Sequence, residues 1–280
     1  MHASIGGFQE RMEDEMSRIE HLENNTDIIV AAHRGLKSDY PENTLLAFQK
    51  ALESEVDMLE FDLRLSKDGV VVVIHDETVD RTTNGSGQVS DYTLAELKQL
   101  DAGAWFGPVF EGLKIPTLEE LCTLLNAYPE VLLNVEVKPS RHAKEVADKA
   151  VAMLEDYGYL PRCVFTSFDA AILAYFHDSY QLKTQGFPAE LMTNFDSGPD
   201  GTYSKMWVVG ISMKLLTPKI VQDFLDLGIK SWCYCPDVDQ QVYYSLECGV
   251  ALMTCNNPRP AMRIKQEIAT AALSSNKEMR

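Results

Sequence analysis

The chain has 280 residues, 45% of them hydrophobic, which supplies a sizeable core and excludes disorder. Its 42 acidic against 25 basic side chains give a formal net charge of −17, which excludes a surface built for nucleic acid or an anionic membrane. The length suits one α/β barrel, and an anionic ligand would need a locally positive site, most simply through a bound cation.

In chain order, Phe8, Met12, Met16 and Ile19 recur at helical spacing. They predict an amphipathic helix within an extension over residues 1–26, which covers one end of the fold or meets a partner chain. A homodimer is one such arrangement. No basic n-region or apolar h-region is visible at the start, so a cytoplasmic location is the default expectation. No apolar run approaches the roughly 20 residues of a membrane span. The sequons Asn24-Asn25-Thr26 and Asn84-Gly85-Ser86 carry little weight without a secretory signal. The six cysteines are scattered and read as small apolar residues on strands.

The first strand, Ile28–Ala32, ends in His33-Arg34-Gly35, and the loop Pro41-Glu42-Asn43-Thr44 leads into a helix over Leu45–Leu52. The run Met58–Leu65 alternates with period two. Glu60, Asp62 and Arg64 share one face, and Leu59, Phe61, Leu63 and Leu65 the other. Ser66-Lys67-Asp68-Gly69 supplies turn chemistry, with Gly69 free to take positive φ, and Val70–His75 runs back alongside. That return carries His75 to within about one residue of Glu60. The tract 76–116 holds a polar loop, a short helix from Thr93 to Leu100 and the aromatic loop Trp105–Pro108, and reads as an insertion.

Strand-like runs follow at Val131–Lys138, Cys163–Phe168, Leu182–Phe187, Val208–Lys214, Ile229–Cys235 and Val250–Thr254. Helical patterns fill the gaps at Ala143–Tyr157, Pro218–Leu227 and Val238–Glu247, with a terminal helix near Ala261–Ala272. Alternating βα units over residues 27–272 predict a closed parallel α/β barrel. No Gly-x-Gly-x-x-Gly follows the first strand, so a dinucleotide-binding sheet loses its main support.

In such barrels functional groups sit at the C-terminal ends of the strands. His33 and Arg34 close the first, Glu60 and Asp62 lie along the second, and Glu136 and Lys138 end the third. Glu60, Asp62 and Glu136 offer hard oxygen ligands suited to magnesium or calcium. Arg34 and Lys138 offer charge-assisted hydrogen bonds to an anion. His33 and His75 are candidates for proton transfer. A lone histidine at a strand end is more often structural, but seven such residues on adjoining segments argue against coincidence.

These segments resemble the glycerophosphodiester phosphodiesterase family. Its pattern of His-Arg-Gly, Pro-Glu-Asn-Thr, Glu-x-Asp, His-Asp and Arg-Thr-Thr-x-Gly stands here as His33–Gly35, Pro41–Thr44, Glu60–Asp62, His75-Asp76 and Arg81–Gly85. Ile115–Glu120, Glu136–Lys138 and Ser167-Phe168 also match in order, so the resemblance runs from about residue 28 to 260. It implies a TIM (β/α)8 barrel with a small insertion after the second-strand hairpin. It implies one divalent cation, Mg2+ or Ca2+, on Glu60, Asp62 and Glu136, with His33 and His75 as the acid–base pair. The implied activity is hydrolysis of a small-molecule glycerophosphodiester to glycerol 3-phosphate and an alcohol.

The departures lie near the C-terminus. Family members tend to read Trp-Thr-Val-Asn and Thr-Asp-x-Pro where this chain has Trp232-Cys233-Tyr234-Cys235 and Thr254-Cys255-Asn256-Asn257-Pro258. They bear on substrate identity rather than on the chemistry. Trp232 is retained, and reads either as a surface for the glycerol carbons or as a core tryptophan. The alternatives are a related barrel phosphodiesterase acting on lysophospholipid or sphingolipid headgroups, like the sphingomyelinase D relatives, and a non-catalytic glycerophosphodiester-binding module. The module would be expected to lose a histidine or a ligand carboxylate, and none is lost here.

Overall fold

The computed structural model describes Leu22 and residues 27–278. The amphipathic helix expected within residues 1–26, and the first sequon, lie outside the described residues except for Leu22. Among the described residues nine strands form: β1 Ile29–His33, β2 Met58–Leu65, β3 Val71–Val73, β4 Leu132–Val137, β5 Cys163–Thr166, β6 Thr184–Gly186, β7 Val208–Ser212, β8 Lys230–Tyr234 and β9 Leu252–Cys255. All but β3 are parallel neighbours in chain order, and β9 pairs back on β1. The barrel is closed. A closed barrel has no sheet edge to protect, which explains why strands as short as β6 persist.

The predicted bounds of β2 hold, while the other strands are shorter than their apolar runs by one or two residues at an end. Two helices go beyond the predicted set: Leu118–Leu125, opened by a Thr117/Glu120 capping box, and Ala170–Tyr180, capped by the Asp169 carboxylate. Between β6 and β7 the chain forms short 3₁₀ turns at Ala189–Leu191 and Thr202–Lys205 in place of an α-helix. The stretch Asn194-Phe195-Asp196-Ser197-Gly198-Pro199-Asp200-Gly201 is rich in turn formers and cannot carry a helical stripe.

Period-two alternation sorts each strand's side chains between two environments. Outward residues such as Leu59, Phe61, Leu63, Leu133, Val135 and Phe165 pack beneath the helices in one large apolar cluster. Inward residues change character along the barrel axis. At the N-terminal end Ile29, Met58, Leu132, Val164, Val208, Trp232 and Leu252 form an apolar plug. Toward the C-terminal end the same inward positions become Glu60, Asn134, Glu136, Thr166, Gln185 and Thr254, and these line a cavity. The plug is what keeps water from crossing the barrel, so the polar end is a blind pocket.

The hairpin is placed by an edge that β1 leaves unpaired. β1 pairs with β2 only as far as Glu60, and β3 then pairs antiparallel with Leu63, Arg64 and Leu65. Gly69 takes φ +79° in the turn, as expected. The register continues through a hydrogen bond from the Ile74 N–H to the Asp62 carbonyl, 3.0 Å. His75 therefore arrives beside the carboxylates. Residues 76–116 contribute no barrel strand and enclose their own apolar cluster of Val79, Val89, Leu97, Ala102 and Ile115.

Gly35 fixes the turn after β1. Its φ is +81°, and an added Cβ would lie 2.7 Å from the Ala47 backbone carbon. Gly35→Ala is expected to cost about 2–4 kcal/mol, combining left-handed strain with a backbone clash. Urea unfolding of the two proteins measures it, and an unchanged midpoint would refute this account of the turn.

Candidate active site

Strand register assembles the site. In the parallel ladders His33 stands opposite Glu60, Glu60 opposite Asn134, and Asp62 opposite Glu136. The carboxylate oxygens of Glu60, Asp62 and Glu136 consequently lie within 4.8 Å of one another, all three side chains buried. Glu60 and Glu136 border a cavity of about 150 Å³ shared with His33, Arg34, His75 and Lys138, and Asp62 lies buried beside them. The residues expected from β1, β2, β4 and the hairpin are all brought together.

Like charges at this spacing are costly out of water, and the neighbours answer that cost unevenly. Burial and the charges of Asp62 and Glu136 push the Glu60 carboxyl well above its usual range. Burial and Asp62 raise Glu136 as well, against the pull of Lys138. Burial also opposes ionisation of Asp62, but Lys138, Arg34 and His75 outweigh it and hold that carboxyl low. Asp62 accepts a 2.8 Å hydrogen bond from Asn43 Nδ2, while Arg34 Nε stands 3.2 Å and Lys138 Nζ 3.5 Å away. Lys138 also donates to Glu136 at 2.5 Å.

Even so, Glu60 Oε1 and Asp62 Oδ1 are buried with no hydrogen-bond partner. Two orphaned hard oxygens beside a third carboxylate suit Mg2+ or Ca2+. The donor set fits a divalent cation.

Arg34 adopts φ +58° just past β1. That bend lets its backbone N–H donate to Glu60 Oε2 at 2.8 Å while its guanidinium reaches Asp62 and, at 2.8 Å, Glu42. Glu42 in turn accepts twice from Arg81, at 2.7 and 3.0 Å, and Arg81 donates to Asp76 at 2.6 Å. Asp76 closes the chain on His75 Nδ1, 2.6 Å away. Sequence reading named the segments holding Glu42 and Asp76 but not this relay.

The two histidines have different partners. His33 Nδ1 lies 2.7 Å from Asn256 Oδ1. Asn256 Nδ2 donates to Asp237 Oδ2 at 2.7 Å, so the amide is oriented with its oxygen toward the ring. His33 must then carry its proton on Nδ1, leaving the Nε2 lone pair toward the pocket, 3.8 Å from Glu60. Burial and the nearby Arg34 and Lys37 charges lower its pKa to about 3. His75 donates instead to a carboxylate, since Asp76 is held down to about 2, chiefly by Arg81. Burial lowers His75 too, against that support from Asp76.

Trp232 is placed differently from the substrate contact considered above. It is fully buried in the apolar plug, and its Nε1 donates to Thr254 at 2.9 Å. The aromatic wall of the cavity comes from Phe168, Phe187 and Tyr234 instead. Phe168 and Phe187 stack at 3.6 Å, and Tyr234 meets Phe187 edge-on. The positions of Phe168 and Phe187 just past β5 and β6, and of Tyr234 at the end of β8, were the available signal.

A family model described as the glycerophosphoryl diester phosphodiesterase family matches residues 33–259. A glycerophosphodiester phosphodiesterase of Caldanaerobacter subterraneus is 45% identical over 142 residues, 50% of this chain and 58% of that one. The chain thus spans less than two thirds of that relative's length. A protein named probable glycerophosphodiester phosphodiesterase 1 of Mycobacterium tuberculosis is 31% identical over 248 residues, covering 82% of this chain and 89% of its own. Among solved structures, an Oleispira antarctica phosphodiesterase in complex with the product sn-glycerol-3-phosphate superposes with a TM-score of 0.76 at 26% identity, covering 85% of this chain and 96% of that one. A glycerophosphodiester phosphodiesterase from Agrobacterium tumefaciens gives 0.69 at 26% identity, covering 82% and 97%.

The relay has a pH signature. Arg81, Arg34 and their hydrogen bonds hold Glu42 at about 2 against burial, from an ordinary 4.5, and Asp76 lies at about 2 against 3.8. Folded values below unfolded ones add stability that is present above the ordinary carboxylate range and lost as pH falls toward 2. Arg81→Met should therefore lose less stability than the parent between about pH 5 and about pH 2.5 in urea unfolding. Parallel losses in the two proteins would place the acid sensitivity elsewhere.

Proposed function

Since the chain belongs to the glycerophosphoryl diester phosphodiesterase family, we propose that it hydrolyses glycerophosphodiesters to glycerol 3-phosphate and an alcohol, with His33 and His75 transferring the protons. The observation that carries this reading is the cluster of Glu60, Asp62 and Glu136 within 4.8 Å, with Glu60, Glu136 and both histidines lining one cavity. The Oleispira structure, with its glycerol phosphate product, supports the same substrate class. Among the described residues no helix is long and apolar enough to cross a membrane.

A divalent cation on Glu60, Asp62 and Glu136 would supply Lewis acidity and charge neutralisation for a phosphoryl group. Arg34 and Lys138 border the same cavity and add positive charge where the phosphate carries negative charge. His33 is suited to start as base, because a neutral amide fixes its Nδ1 proton and leaves Nε2 unprotonated. His75 is suited to act as acid, because the Asp76 carboxylate stabilises its protonated ring.

The attacking oxygen in this reading is the glycerol 2-hydroxyl. It is already attached beside the phosphorus, and such intramolecular placement contributes up to about 7–11 kcal/mol in ideal cases. His33 takes its proton while His75 protonates the departing alcohol. The cyclic 1,2-phosphate is then opened by water with the histidines exchanging roles.

His33→Ala and His75→Ala should each lower turnover of glycerophosphocholine by about 10²–10⁴ with little change in melting temperature. Near-normal turnover in either variant would make that histidine structural. Asn256→Asp, which keeps an acceptor for Nδ1, should retain more activity than Asn256→Leu, and ¹⁵N NMR of His33 should show its Nδ1-protonated tautomer lost only in the latter.

Excess chelator should abolish hydrolysis, and Mg2+ or Ca2+ should restore it. Full activity in chelator with no bound metal by elemental analysis would overturn the metal assignment. A 2-deoxy glycerophosphodiester should bind yet turn over very slowly, and its hydrolysis at the normal rate would hand the attack to water.

A further inference from the structure

The insertion folds back on the end of the hairpin through one side chain, Arg81, whose guanidinium is used along two edges. Nε donates to Asp76 Oδ2 at 2.6 Å and Nη2 to Asp76 Oδ1 at 3.1 Å. Nη2 and Nη1 donate to the two oxygens of Glu42, at 2.7 and 3.0 Å. Both are two-point contacts, in which a guanidinium fixes the plane of a carboxylate as well as its charge. Arg81 is not among the residues that border the catalytic cavity. Four of its five N–H donors are engaged, so it offers little to a phosphate and reaches the reaction through its partners.

Asp76 needs such a hold. The last torsion of an aspartate is soft, so nothing within Asp76 directs its carboxylate at an imidazole. The fork sets that plane, and Oδ1 then stands 2.6 Å from His75 Nδ1. With the Nδ1 proton directed at Asp76, Nε2 is the nitrogen left to the cavity that His75 borders.

Arg81 is itself held from its far side. Glu42 accepts from Arg34 Nη1 at 2.8 Å, and its side chain is only 8% exposed, which makes it a fixed point. The turn carrying Arg81 is closed by Thr83, whose Oγ1 donates to the Val79 carbonyl at 2.7 Å and accepts from the Gly85 N–H at 3.0 Å. An isolated pair as exposed as Arg81 and Asp76 contributes little to stability. What the doubled fork supplies is direction.

We infer that Arg81 is a positioning residue for proton delivery to the departing alcohol, acting through Asp76 on His75. This rests on the reaction proposed above. As the phosphorus–oxygen bond to the alcohol breaks, its electron pair leaves with that oxygen and the His75 Nε2 proton joins it. The ring is left neutral, with its Nδ1 proton still bonded to Asp76. Without the fork Asp76 rotates, and the ring spends less time aimed at that oxygen.

An alcohol that departs readily without a proton separates this role from a structural one. The test is steady-state kcat/KM on glycerophosphocholine and on the p-nitrophenyl ester of glycerol 3-phosphate, in one buffer containing Mg2+ or Ca2+. Arg81→Met should lower kcat/KM on glycerophosphocholine by about 10–100-fold, part of the roughly 10²–10⁴ that a general acid contributes, and on the p-nitrophenyl diester by less than about threefold. Arg81→Lys keeps the charge between Asp76 and Glu42 but not the fork. It should show the same contrast in smaller degree, and it carries the test if the methionine variant does not fold. His75→Ala should show the contrast as well. If His75→Ala shows it and the folded Arg81 variants affect both diesters equally, the positioning role is overturned and the reaction stands. If His75→Ala slows both diesters equally, or the parent hydrolyses neither, the acid assignment falls and the inference with it.

Discussion

Holding Glu60, Asp62 and Glu136 together inside a barrel is the constraint from which the surrounding architecture follows. Carboxylates that lie within 4.8 Å and out of water repel one another and lose hydration. Lys138 stands between Asp62 and Glu136, Asn43 donates to Asp62, and the Arg34 backbone donates to Glu60. Glu60 Oε1 and Asp62 Oδ1 are still left without a hydrogen bond. The protein compensates the cluster only in part, which is how a cation site differs from a structural ion-pair network.

That partial compensation is exported through a line of alternating charge. Asp62, Arg34, Glu42, Arg81 and Asp76 follow one another at hydrogen-bond or ion-pair distance and end on His75. The loop carrying Glu42 and the insertion carrying Arg81 are thereby fastened over the barrel mouth by the same charges that surround the site. On the opposite side, His33 rests on Asn256 and Asp237, groups from the ends of β9 and β8. One histidine answers to a carboxylate and the other to an amide. Burial lowers the proton affinity of both rings.

The barrel mouth is also divided by chemistry. Phe168, Phe187 and Tyr234 make an apolar wall on the β5, β6 and β8 side, while Arg64, Ser140 and the insertion make a polar one on the β2 and β4 side. The division arises because the insertion follows β2. The insertion and the loop after β4 supply polar side chains, whereas the aromatic rings come from the ends of β5, β6 and β8.

How much of this was legible in the chain follows from the range of each signal. Alternation along Met58–Leu65 marked which face holds Glu60, Asp62 and Arg64, because side-chain direction in a strand is a local, period-two property. The turn at Gly69 and the antiparallel return of His75 were legible for the same reason. The pairing of His33 with Asn256 was not, since it joins β1 to the end of β9, which are adjacent only once the barrel closes. Trp232 shows the limit most directly. Its sequence fixes that it sits on a strand, but whether it faces a ligand or the apolar plug depends on its depth along the barrel axis, which is set by the stagger of eight strands against one another.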